Sequence, residues 1–201
     1  YYCWGPRDLE RDVEAVDKAP DSAARLAAAQ ALRRDGDHSE LPFAAENLVA
    51  ATFDSALVRW FGVLFWFALL GSCGALLYRL AQLLAATPAG EDSTLARKFA
   101  ALLDWLPAHL MALALALASN FDAVFTAWRD YHRAHAHGYA NLDLGFLDAI
   151  GRASVVADVA ADGQADAQSP LVALDDAMVL VRRVLVIWLT LMALVVLGGF
   201  F

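Results

Sequence analysis

Residues 60–78, WFGVLFWFALLGSCGALLY, decide the class of this fold: nineteen consecutive positions without a charge or an amide, closed off by Arg59 and Arg79. At a helical rise of about 1.5 Å per residue the run reaches roughly 28 Å, close to the ~30 Å hydrocarbon layer of a bilayer. Trp60 and Tyr78 stand at its ends, where an aromatic ring keeps its body in lipid and its polar edge in water. The run therefore predicts a membrane-spanning helix rather than a buried helix of a soluble core, which is usually shorter. Inside it, Gly71-Ser72-Cys73-Gly74 offers small residues that let a neighbouring helix approach closely, and glycines that also permit a kink.

The whole chain supports that reading. Its 201 residues are 60% hydrophobic, with a mean hydropathy of +0.47, too apolar for an ordinary soluble domain. The net charge of −8 gives a nucleic-acid partner no electrostatic basis. The acids gather in the first forty residues and in 141–176, which are the expected water-exposed parts. Two cysteines, Cys3 and Cys73, lie in or beside apolar segments, so neither a structural disulfide nor a metal-thiolate site is expected.

Upstream, Tyr1-Tyr2-Cys3-Trp4-Gly5-Pro6 reads as the exit of a membrane span whose preceding hydrophobic region is absent from this sequence, with no cleavable signal peptide in view. Leu9, Val13 and Val16 then mark a polar helix, and Pro20-Asp21-Ser22 a stop followed by a new N-cap. Arg33-Arg34 sits at the end of that second helix, complementing its dipole, before a turn at 35–37. From Leu41 a helical pattern runs toward Trp60, so one long helix is expected to enter the bilayer at Arg59.

Downstream, residues 88–93 read as a loop with Ser93 capping the next helix. Residues 103–121 form a second span, whose Ala-Leu alternation suits helix better than a strand, since lone strands cannot sit in lipid. Asp104 is expected to cap this span, with Pro107 in its first turn. A polar stretch follows, with a helix ending at Gly138 and a shorter one around 142–151. Ser169-Pro170 starts the last helix, whose residues 184–201 form the third span. Arg182-Arg183 before it place its start in the cytoplasm and the C-terminus outside. The expected fold is all-α, a polytopic integral membrane protein with cytoplasmic helices. It divides into a polar helical region 1–58, a two-span region 59–121, a polar loop region 122–169 and a C-terminal helix and span 170–201.

Candidate chemistry lies at the membrane borders. Glu46 and Asn47 precede the first span, and Asp104 and His109 lie at the mouth of the second. An ionisable group there is either anchored by partners or functional, because burial at the bilayer centre costs about 2.5–3.5 kcal/mol. We therefore take Glu46, Asn47, Asp104 and His109 as candidate binding residues lining one cavity. His132 and His135 share a helix face that could ligate a metal, but Arg129 and Arg133 crowd it, and a solvated or headgroup-facing basic helix is the expected role. No P-loop, dinucleotide glycine pattern or Ser/His/Asp arrangement occurs, so no cofactor, metal or catalytic residue is assigned.

WFGVLFWFALLGSCGALLYRL and LLDWLPAHLMALALALASNFDAVFTAW, with Tyr2-Cys3-Trp4-Gly5-Pro6-Arg7-Asp8-Leu9, resemble the AmpE family of inner-membrane proteins. The resemblance covers nearly the whole chain. It implies a regulator in the bacterial inner membrane, linked to β-lactamase induction, with a cell-wall recycling or signalling protein as partner; it supplies no molecular activity, and a non-catalytic role is the expectation. More distantly, the same phrases resemble the membrane-bound cobinamide-phosphate synthase of cobalamin biosynthesis, an amide-forming enzyme. That family carries Ala-Glu-Asn-Leu followed by Ser-Asp-Gly, then Leu-Phe-Trp, and later Asp-Trp-Pro-Ala-Arg. Glu46, Asn47, Leu64-Phe65-Trp66 and Asp104-Trp105 match it, while Val49-Ala50-Ala51 replaces Ser-Asp-Gly and His109 stands where the arginine would be. Histidine is mostly neutral at pH 7 and lacks the forked cation that suits a phosphate. The two departures argue against retained synthase chemistry, so the regulator is the leading expectation and the synthase the alternative.

Overall fold

The computed structural model describes residues 8–34, 39–87, 91–135, 142–161 and 169–198. The expected features at Cys3, the 35–37 turn, residues 88–90, His137 and Gly138 lie outside them. Among the described residues the secondary structure is helical throughout, as the composition predicts. Helix α1 is Leu9–Asp17 and α2 is Ser22–Ala29, tightening into a 3-10 turn at Gln30–Leu32. Asp8 and Asp21 cap the first two helices, their carboxylates accepting from the Glu10 and Ala24 amides at 3.2 and 2.6 Å. Helix α3, Ala45–Ala56, continues through a π-turn at Leu57–Phe61 into α4, Gly62–Ala85. Then come α5, Glu91–Ala118, α6, Phe121–Ala134, α7, Gly145–Ala161, and α8, Pro170–Leu197.

The polar and apolar helices share one core. Leu9, Val16 and Leu32 from the first layer meet Leu48, Phe53 and Phe61, with Met111, Leu115, Ile150 and Val181 closing it. Where α3 crosses α7 the two helices approach closely: a Cβ on Gly151 would lie 2.5 Å from the Phe53 ring. Arg59 finds its partners within the protein. Its guanidinium is inside the protein, donating to Asp12 at 2.6 Å and to the Ala31 carbonyl at 2.8 Å, and so ties α1 and the 3-10 turn to the π-turn. At the surface, Arg182 and Arg183 pair α8 with Glu10 of α1 and Asp158 of α7.

Three helical stretches are long and apolar enough to cross a membrane: residues 45–85, 94–118 and 170–194. In their most apolar windows only 22%, 56% and 33% is buried inside the protein. The outward remainder, including Phe67, Leu84, Leu113, Leu117, Leu191 and Leu194, is far more apolar surface than a water-soluble monomer presents. It is a surface suited to lipid.

The first of these stretches is not the straight 60–78 rod that its length suggests. Gly71 has φ +66° and ψ −153°, a combination essentially reserved for glycine, and the chain turns back there. Gly62 lies against the Tyr78 ring, a Cβ at that position falling 2.2 Å from the Tyr78 hydroxyl; Gly74 lies against the Trp66 carbonyl. In a continuous helix residues 62 and 78 would stand about 24 Å apart. Two antiparallel arms, residues 62–70 and 72–85, therefore form a helical hairpin with Gly71 at its tip. A kink is one of the roles that the sequence leaves open to these glycines. Close packing is the other, and Gly62 and Gly74 supply it between the arms.

Helix α5 also differs from expectation. It begins at Glu91, so residue 93 lies within it rather than ahead of it, and it ends at Ala118 rather than at 121. Pro107 sits in its interior, where the ring removes the bond that its amide would give to the Leu103 carbonyl. That carbonyl accepts from Trp66 Nε1 at 3.1 Å instead, pinning the first arm of the hairpin to α5. Asn120 caps α6 through the Ala123 amide at 3.1 Å. Helix α7 runs ten residues beyond the expected 151, to Ala161.

A buried arginine–aspartate cluster as candidate functional site

Asp104 lies thirteen residues into α5, so it is not an N-cap; its side chain is fully buried and needs other donors. Three converge on it. Tyr78 donates its hydroxyl at 2.5 Å and Gln82 its Nε2 at 2.7 Å, both to Oδ1, while Arg34 Nη1 donates to Oδ2 at 3.0 Å. Tyr78 and Gln82 are one turn apart on the returning arm of the hairpin, so the reversal at Gly71 is what delivers them. Arg34 follows the 3-10 turn, and its other nitrogen, Nη2, reaches Asp54 of α3 at 3.1 Å. The guanidinium thus bridges two carboxylates from helices fifty residues apart. Burial opposes its charge, but Asp54 and Asp104 together outweigh that and hold its pKa above the ordinary arginine value.

Asp148 of α7 belongs to the same electrostatic group. Burial, and then the negative field of Asp54, push its carboxyl up to about 6, against the pull of Arg152 and Arg34. Its Oδ1 is buried without a hydrogen-bond partner. The cluster therefore holds one fixed cation, Arg34, a fully bonded carboxylate, Asp104, and a carboxyl poised to gain or lose a proton near neutral pH. Such a group can orient helices and exchange a proton. Among the described residues no set of three or more His, Cys, Asp or Glu side chains is placed to hold a metal ion.

The other three candidate residues stand apart from it. Glu46 is exposed in the first turn of α3 and pairs with Arg152 at 3.4 Å; Asn47 donates to the Pro42 carbonyl at 3.4 Å. His109 is five residues from Asp104, about 140° around the same helix, and so faces away from it. Its Nδ1 lies 2.7 Å from the Trp105 carbonyl, and its ring packs among Trp105, Phe146 and Trp128 at centroid separations of 4.3, 4.6 and 5.8 Å. His132 and His135 bring their Nδ1 atoms to the carbonyls of Trp128 and Tyr131.

Sequence reasoning misses Arg34, Asp54, Gln82 and Asp148 as site residues. It gives Arg34 to the dipole of α2, and Tyr78 to a headgroup belt. Asp54 does carry a signal, as the single charge between Asn47 and Arg59 in an apolar helix.

No family model matches the chain, and no solved structure does. A cobalamin biosynthesis protein, CobD, from Chromobacterium violaceum is 30% identical over 139 residues, which are 64% of this chain and 45% of that relative. The chain thus spans less than half the length of the curated relative it matches. The similarity falls on the cobalamin side, the alternative in the sequence, rather than on the signalling family.

Proposed function

We propose that this chain works in cobalamin biosynthesis at a membrane, as part of a CobD-like protein. The identity with CobD over 139 residues carries the reading, and the lipid-suited surfaces of 45–85, 94–118 and 170–194 support a membrane setting. In this role the Arg34–Asp54–Asp104 cluster is a positioning device. It fixes the polar layer of α1 and α2 against the apolar helices, so that whatever binds at their junction meets a rigid wall. Glu46, Asn47, Asp104 and His109 remain proposed binding residues, now as members of separate groups. If the chain serves an amide-forming synthase, the imidazole of His109, which offers no forked cation, and the apolar Val49-Ala50-Ala51 mean that a phosphate would be held by other cations.

The test is complementation. The protein, expressed in a bacterium lacking its own CobD, is expected to restore growth that depends on cobalamin made in the cell. Normal protein in the membrane fraction with no restored growth overturns the proposal. The resemblance to AmpE supplies the competing outcome, in which deletion of the protein's gene in its own host changes β-lactamase induction and leaves cobalamin synthesis intact.

A further inference from the structure

We propose that the apolar run 60–78 is a re-entrant hairpin that dips into one leaflet of the membrane and returns to the side it came from. The inference rests on the membrane reading of the chain and is independent of the cobalamin one.

Four observations carry it. The arms are antiparallel, with Gly62 against Tyr78 and Gly74 against Trp66, so the two arginines that bracket the run, Arg59 and Arg79, both lie at the base. The first arm, residues 62–70, is about 13 Å long, less than half the ~30 Å hydrocarbon thickness. No residue between the two arginines is charged, and the tip is apolar on its outside: Phe67, Leu69, Leu70, Leu76 and Leu77 are all exposed by roughly half. Finally, both arms are bonded to protein, the first at its middle through Trp66 to the Leu103 carbonyl and the second through Tyr78 and Gln82 to Asp104. A hairpin so anchored cannot straighten into a 28 Å span without breaking all three bonds.

The occupant that fits this surface is acyl chain. Non-helical backbone at membrane depth is expensive, and here it is confined to one residue, Gly71. The consequence for topology is definite. Residues 39–59 and 82–87 lie on the same side of the bilayer, and the region 59–121 holds one hairpin and one span instead of two spans.

The test uses the full protein in native membranes, with thiols read by membrane-impermeant and membrane-permeant maleimides on intact spheroplasts and on inverted vesicles. In a background with Cys3 and Cys73 replaced by serine, Glu40→Cys and Thr87→Cys, both at exposed positions, are each labelled by the impermeant reagent. Same-sided labelling is expected, and labelling from opposite sides overturns the hairpin in favour of a crossing. The native thiol Cys73, exposed beside the tip, is read separately with only Cys3 replaced, so that no folding-sensitive change touches the hairpin. It is expected to react with the permeant reagent and to lose labelling by the impermeant one from either side. Impermeant labelling from the far side means two full crossings; from the near side it means a tip in water. Either result overturns the proposal.

Discussion

Replacing Asp104 by asparagine isolates the charge in the buried cluster from its shape. The wild-type carboxylate is fully buried and accepts bonds of 2.5, 2.7 and 3.0 Å from Tyr78, Gln82 and Arg34. In Asp104→Asn the amide oxygen can keep Tyr78 and Gln82, but the amide nitrogen turns a donor toward Arg34 Nη1. One charge-assisted bond, worth about 1.5–3 kcal/mol, is lost, and two donors are left facing each other without water. A total of about 3 kcal/mol follows, approaching the ~3–5 kcal/mol for removing one partner of a buried pair. For a chain of this size that is a fall in Tm of roughly 6–12 °C. Heating the detergent-solubilised protein and following the fluorescence of its six tryptophans measures it, with Trp66 and Trp105 flanking the cluster. Asparagine is as good an N-cap as aspartate, so a helix-capping role predicts almost no change. If Asp104→Asn melts within about 1 °C of the wild type, the charge is not what holds Arg34, and the electrostatic reading of the cluster is refuted. An Arg34→Met, Asp104→Asn double-mutant cycle should then also show no coupling, where the structure implies at least ~1 kcal/mol.

Gly71→Ala should destabilise by about 1–3 kcal/mol, because φ +66° with ψ −153° is closed to residues with a Cβ although nothing crowds the site; detergent melting measures it, and a neutral result would place the reversal elsewhere. Gly62→Ala should cost a similar ~1–3 kcal/mol by a different route, pushing the Tyr78 ring off Asp104, and Tyr78→Phe should remove most of the added penalty's dependence on that hydrogen bond. The raised pKa of Asp148 makes stability fall with rising pH. The unfolded carboxyl releases its proton near 3.8 and the folded one near 6, so over that window the native state binds more protons and loses about 3 kcal/mol by neutral pH. Asp148→Asn should abolish that slope in melts taken from pH 4 to 7, and raise stability at pH 7.

The all-helical fold and its membrane-suited helices are legible in the sequence because apolar runs and caps are local signals. Asp21 and Ser169-Pro170 mark helix starts as short-range chemistry dictates. A local pattern misleads where a distant partner decides. Asp-Trp-Leu-Pro looks like a helix start because proline fits a first turn, but Trp66 takes over the Leu103 carbonyl that Pro107 leaves free, and the helix runs through. Likewise nineteen apolar residues fix hydrophobicity but not straightness; one backbone angle at Gly71 halves the reach. The Arg34–Asp54–Asp104 group joins positions 20 to 70 residues apart, and no spacing rule contains it.

The donors that surround Asp104 all precede it in the chain. A nascent α5 presenting an aspartate to hydrocarbon alone would face an insertion cost of up to about 2.5–3.5 kcal/mol. By the time residue 104 leaves the ribosome, however, Arg34, Tyr78 and Gln82 have already been made, the last two within the folded-back hairpin. Synthesis order therefore matches electrostatic need: the cation and both neutral donors are available before the acid that depends on them, and the helix bearing that acid can be handed to its partners as it enters the bilayer.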